Sequence, residues 1–214
     1  MKLIVISAPF PVPDEVNIVN RLFETGLQYY HIRSPFVDSD TQRNFIQQVC
    51  EEYRCRIVIH QHYEMAETQP IGGIHFKENN VKLLMQGDPA YLYWVNHKLA
   101  HPDFHLSASF HDLDVILRAK EPYDYVFISP VFESISKEGY TASFNLSSLQ
   151  RTAYLTKQKI IVMGGVEPDK MPIVHQLGVD GVAVLGYIWK SPDPVAAFLA
   201  LNELCQKPNP SSLL

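Results

Sequence analysis

Two rhythms alternate along this chain. Short runs of β-branched and aromatic residues, polar mainly at their ends, are separated by longer stretches whose apolar residues recur every three or four positions. The first pattern reads as buried strands and the second as amphipathic helices. Strands are predicted at Lys2–Ser7, Gln28–Ser34, Arg56–Gln61 and Gly72–Phe76, and again at Phe104–Ser109, Tyr123–Ser129, Lys159–Gly164 and Gly181–Gly186. Helical periodicity covers Glu15–Thr25, Thr41–Arg54, Leu113–Ala119, Leu146–Leu155 and Asp169–Leu177, with Pro194–Leu204 after the last strand. Asp38 or Ser39, Asn145 and Pro168 suit helix starts, as side-chain caps or as a first-turn proline.

Strict strand–helix alternation implies parallel strands joined by right-handed crossovers. Eight such units close into a single (β/α)8 TIM barrel of the α/β class, expected over residues 1–206. An open, doubly wound sheet would place a glycine-rich turn after an early strand, and "APFPVP" follows "KLIVIS" instead. Between Lys77 and Pro102 helical periodicity is weak and Pro89 interrupts it. The tail 207–214, "KPNPSSLL", is expected to fray.

Composition narrows the function. Hydrophobic residues make up 46% and charged residues 19% of the 214, the balance of a globular domain with a sizeable core. A net charge of −5 with scattered Lys and Arg argues against nucleic acid or an anionic membrane as partner. "MKLIVIS" has too short an apolar run for a signal peptide. The three cysteines, Cys50, Cys55 and Cys205, are odd in number and lack zinc-type spacing, which fits a reducing cytoplasm.

In such a barrel the chemistry gathers at the C-terminal ends of the strands. Those ends carry Ser7; His31 and Arg33; His60 and Gln61; His75 and Lys77; Ser107, Ser109 and His111; Ser129; Gly164 and Gly165; and Gly186. Any one histidine taken alone reads as a hydrogen-bonded core or rim residue; four of the nine at one rim suggest a site. "KIIVMGGVEP" is strand, glycine pair, then helix start, and "VAVLGYIW" ends at Gly186 before a short turn at Tyr187–Trp189. Barrels of this type often bind phosphate with these last two loops, on backbone N–H groups.

These residues carry a resemblance. "GGIHF", "SASFH", "ISPVFESISKEGY", "VMGGV" and "GVDGVAVLGYI" resemble, in order, five motifs of the thiamine phosphate synthase superfamily, which includes the thiazole tautomerases. The resemblance implies an enzyme of thiamin biosynthesis whose partner is a small phosphorylated heterocycle, in barrels that are often homo-oligomers. It places the thiazole phosphate on Gly164, Gly165, Gly186 and Tyr187, although Gly186 stands where the family has serine. Ser134, Ser136 and Lys137 stand for the family's Thr, Thr and Lys, which bind phosphoryl groups, within a predicted lid at Ser134–Tyr140. Arg33 matches a diphosphate-binding arginine, and Ser109 would also hold an anion.

Magnesium separates two activities. The synthases hold Mg²⁺ on a pyrimidine diphosphate with an Asn-Asp pair after strand three and an aspartate after strand four. Here those positions are His60–Gln61 and Asn80, poor donors for a hard dication. No metal is therefore expected, with Glu78 and Mg²⁺ the alternative. Metal-independent thiazole tautomerisation is the first expectation, with His111 as catalytic base and His31 and His60 assisting or receiving the thiazole carboxylate. Thiamine phosphate synthesis is the second, and a non-catalytic phosphate-ligand binder the third.

Overall fold

The computed structural model describes residues 1–9, 12–34, 36–132 and 144–207. Eight parallel strands close into a barrel in sequence order: β1 (Lys2–Ile6), β2 (Tyr29–Ile32), β3 (Ile57–Ile59), β4 (Gly73–Phe76), β5 (His105–Phe110), β6 (Tyr125–Ile128), β7 (Ile160–Met163) and β8 (Gly181–Val184). The seam is β1 on β8, with Lys2 to Val5 opposite Gly181 to Val184. Seven strands lie inside their predicted ranges, and β5 runs one residue beyond its range, to Phe110. Gly73 faces His105 across β4 and β5, and a Cβ there would lie 2.0 Å from the His105 carbonyl oxygen, so this close pairing requires glycine.

Helices cover the outside: α1 (Glu15–Glu24), α2 (Ser39–Gln48), α3 (Glu51–Arg54), α4 (Glu78–Met85), α5 (Pro89–Ala100), α6 (Leu113–Arg118), α7 (Leu146–Leu155), α8 (Met171–Leu177), α9 (Gly186–Trp189) and α10 (Pro194–Gln206). The caps follow local chemistry. Asp38 accepts from the Thr41 amide, and Asn145 accepts from Ser147 and Ser148. Pro168 opens a three-residue 3₁₀ turn ahead of α8.

Two readings change in detail. The periodic run Thr41–Arg54 is two helices, because Val49 turns to extended backbone and its side chain is fully buried. The Cys50 amide beyond it donates to the Asn20 side chain. The weak stretch 77–102 is also two helices, with Asp88 capping and Pro89 opening the second. A 3₁₀ turn at Tyr63–Glu67 had no sequence expectation. The tail call falls largely on residues 208–214, outside those described.

Strand alternation divides the side chains. Leu3, Val5, Ile57, Ile59, Ile74, Phe76, Val126 and Ile128 point outward and pack beneath the helices. Residues of the other parity point inward, and the interior they fill is split. Ile4, Ile6, Tyr125, Phe127, Ile161 and Ala183 form an apolar cluster. His31, His60, His75 and Ser107, from β2 to β5 and their ends, form a buried polar half opposite. The site sits above this divided floor. Among the described residues no helix is long and apolar enough to cross a membrane.

Candidate active site

A cavity of about 320 Å³ opens at the C-terminal ends of the strands. Its lining includes Arg33, His60, Lys77, Glu78, Ser109 and His111 on one side, and Gly164, Gly165 and Gly186 on the other. Ile6, Phe127, Met163 and Ala183 supply an apolar wall between them. Alternation explains the grouping, since Arg33, Lys77 and His111 stand two residues past the inward-pointing His31, His75 and Ser109.

The glycine side is held by backbone. Val131 N donates to the Met163 carbonyl at 3.0 Å, and Phe132 N to Gly164 O at 3.1 Å, continuing the β6–β7 ladder into the loops. Gly164 has φ +96° and Gly165 φ +63°, and a Cβ on Gly164 would lie 2.9 Å from the Pro130 Cβ. Trp189 Nε1 donates to the Ile6 carbonyl at 2.7 Å, which ties α9 and so Gly186 to the end of β1. Among the described residues no carbonyl accepts from the N–H of Gly165, Gly186 or Tyr187. Unpaired N–H groups beside one cavity suit a phosphate. Tyr187 itself is half-buried and its side chain is not in the cavity lining.

Opposite lie the histidines. His111 Nδ1 is 2.6 Å from the Ser129 carbonyl oxygen. A carbonyl only accepts, so Nδ1 carries a proton, and in the neutral ring Nε2 presents a lone pair. Nε2 is 4.0 Å from the Glu78 carboxylate, whose other oxygen is 3.1 Å from Lys82. This is the geometry of a positioned base.

His31 does not reach the cavity. It is fully buried, with Nδ1 2.9 Å from His60 Nε2 and Nε2 2.8 Å from the Tyr125 hydroxyl. The expected substrate contact is therefore replaced by a supporting role, because inward-pointing side chains on the short β2 lie one layer below the rim. His75 sits beside it, with hydrogen bonds to Ser107 Oγ at 2.8 Å and Ser109 Oγ at 2.7 Å. Burial drives the His31 pKa down to about 3, with His105 adding to the effect. His60 and His75 are also pushed well below the ordinary value, first by burial and then by neighbouring rings, Arg33 and Lys77. The trio is neutral at physiological pH.

These three imidazoles bring ring nitrogens within 4.8 Å of one another, a donor set for a late transition metal. Five of their six nitrogens already make hydrogen bonds. Magnesium fits no better among the described residues. Gln61 Nε2 donates to the carbonyls of Ser34 and Val37. Asn80 is spent capping Lys77 N at 2.9 Å and donating to Tyr91 at 2.6 Å. Among the described residues Glu78 is the one carboxylate lining the cavity, and Lys82 already pairs with it. A hard dication needs more oxygen donors than this.

Of the expected site residues, Arg33, His60, Ser109, His111, Gly164, Gly165, Gly186 and the alternative ligand Glu78 meet in this cavity. Ser134, Ser136, Lys137 and the lid expected at 134–140 lie outside the described residues. Lys77, like Ser129, lines the cavity and was noted in the strand-end reading without being assigned a role. Its signal was parity: two residues after His75, it must share that side chain's face.

The family model described as thiamine monophosphate synthase matches residues 3–188. A thiamine-phosphate synthase of Limosilactobacillus reuteri is 25% identical over 158 residues, 73% of this chain and 69% of the relative. One from Cronobacter sakazakii is 24% identical over 202 residues, 91% and 90% of the two chains. The crystal structure of a thiamine phosphate pyrophosphorylase from Bacteroides thetaiotaomicron is similar with a TM-score of 0.74 and 27% identity, covering 95% of this chain and 97% of that one.

Proposed function

Because this chain belongs to the thiamine monophosphate synthase family, we propose that it makes thiamine phosphate, joining a pyrimidine-methyl diphosphate to a thiazole phosphate. The observation that carries the reading is one cavity with two anion-suited sides: the glycine amides after β7 and β8 and the cations Arg33 and Lys77 after β2 and β4. Two phosphorylated substrates need two such places.

In this reading the thiazole phosphate accepts N–H groups from Gly165 and the Gly186–Tyr187 turn. Its ring lies against Met163, Ala183 and Phe127, where apolar surface displaces water. The diphosphate end lies toward Arg33, whose fork of donors suits it. The thiazole nitrogen lone pair forms the new C–N bond as the C–O bond to the diphosphate breaks, and diphosphate leaves with both electrons of that bond. Magnesium is the cofactor that this activity implies by resemblance. The described donor set does not suit it, and no step here depends on it.

The transfer reading displaces tautomerisation from first place, because the relatives compared are synthases by name. One observation still favours isomerisation as a second reading: His111, with Nδ1–H pinned and Nε2 on the side of Glu78, is suited to moving a proton. A single experiment separates the two. Purified protein is incubated with pyrimidine-methyl diphosphate and thiazole phosphate, and separately with the non-aromatic carboxythiazole phosphate. Thiamine phosphate and released diphosphate in the first mixture support the transfer. Aromatisation in the second without product in the first supports the isomerase.

A further inference from the structure

The cavity is locally cationic in a chain whose net charge is −5. Arg33 and Lys77 line it together, from neighbouring parts of the β2–β4 arc. Among the described residues no carboxylate lies within ion-pair reach of either, whereas Arg43, Lys82, Lys98, Lys170 and Lys207 form such pairs and Arg54 and Arg56 bind carbonyls. Glu78, adjacent in sequence to Lys77, turns instead to Lys82 and His111. Two like charges held near each other and left unpaired are costly, unless an anion is to sit between them. Burial first, and then the Arg33 charge, lowers the Lys77 pKa, consistent with shared surroundings.

We propose that Lys77 and Arg33 form a metal-free clamp for the diphosphate leaving group, the ammonium and guanidinium carrying the charge that a divalent cation would otherwise neutralise. The inference rests on the transfer reading and deepens it. As the C–O bond breaks, negative charge grows on the departing bridging oxygen and spreads over the diphosphate. Fixed donors at Lys77 Nζ and the Arg33 fork meet that charge without metal rearrangement. The histidines beneath, His60 and His75, are neutral and add hydrogen-bonding capacity but no charge. Among the described residues that wall carries a single carboxylate, Glu78, and Lys82 already pairs with it, so the two observations agree.

The test is a calorimetric titration with inorganic pyrophosphate, which requires no turnover. With chelator present, the whole protein binds pyrophosphate, and added Mg²⁺ gives no tightening. K77M weakens that binding roughly ten- to a hundredfold, K77R restores most of it, and R33M weakens it comparably. Inorganic phosphate, which needs only the glycine side, still binds K77M, and its melting temperature is unchanged; this shows that the fold is intact. Pyrophosphate binding that requires Mg²⁺, or that K77M leaves unaltered, overturns the clamp. Thiamine phosphate formed only with Mg²⁺ overturns it too while leaving the transfer reading standing. Metal-free pyrophosphate binding without thiamine phosphate formation supports the clamp geometry and sinks the transfer reading.

Discussion

His31 Nδ1 and His60 Nε2 share a hydrogen bond of 2.9 Å beneath the cavity, one ring fully buried and the other lining the site. Such a pair holds at most one proton between its facing nitrogens. Protonating both rings places like charges in contact within a low-dielectric interior. The pair therefore fixes His60 and also sets an acid limit on the fold.

That limit has a definite sign. The folded-state His31 pKa is about 3, against an ordinary value of about 6.5. Below pH 6.5 the unfolded chain binds a proton that the folded chain refuses, so stability falls as pH falls, until about pH 3. The slope is about 1.4 kcal/mol per pH unit for this one ring and about 5 kcal/mol in full, a large part of a typical domain's stability. Urea unfolding at a series of pH values should show this decline. H31Q, measured over the same series, should show a shallower one; equal slopes would remove His31 as the cause.

His111 separates the two chemistries. H111N can still donate from its amide toward the Ser129 carbonyl but offers no base. Tautomerisation, if the protein performs it, should fall by about 10²–10⁴-fold in H111N. Thiamine phosphate formation should fall by less than about tenfold, since C–N bond formation takes no proton from the reacting carbon. Equal losses in both assays would show that the residue acts through structure.

The glycine side is expected to be intolerant. In G164A the new Cβ meets Pro130 at 2.9 Å, on a backbone with φ +96°. A loss of about 1–3 kcal/mol is expected, with weakened inorganic phosphate binding as the loop shifts. Denaturant unfolding and a phosphate titration on the same sample measure both.

At the opposite end of the barrel, polar residues serve stability. Asp124 accepts from Leu106 N at 2.9 Å and pairs with Lys98 Nζ at 2.9 Å, with His105 Nδ1 at 3.7 Å. D124A should cost about 1–3 kcal/mol and leave the turnover rate of the folded enzyme within about twofold. A large loss of turnover with unchanged stability would place function at both ends.

The architecture was legible because each strand is short, apolar and followed by a distinct helical period, so closure needed only a count of eight. The site was legible through strand ends, which gave Arg33, His60, His111 and the glycines. Two things were hidden. Val49 belongs to an unbroken apolar rhythm, and only its burial and the Asn20 contact to the next amide end the helix there. The depth of a side chain below the rim depends on where its strand stops. Hence His31, two residues short of Arg33, lies in the layer beneath, whereas Lys77, two beyond His75, stands in the site.

The split interior has a consequence for how such a cavity can change. Its imidazole half is interlocked: altering His31 or His60 orphans the other's nitrogen, altering His75 takes a partner from the Ser107 and Ser109 hydroxyls, and drift there is strongly opposed. The half formed by Phe127, Met163 and Ala183 is bound by shape alone, and volume-conserving exchanges are tolerated in such surroundings. New heterocycles would accordingly be admitted from the Met163 side, and a directed-evolution library aimed at altered ring size should diversify that wall and leave the histidines alone.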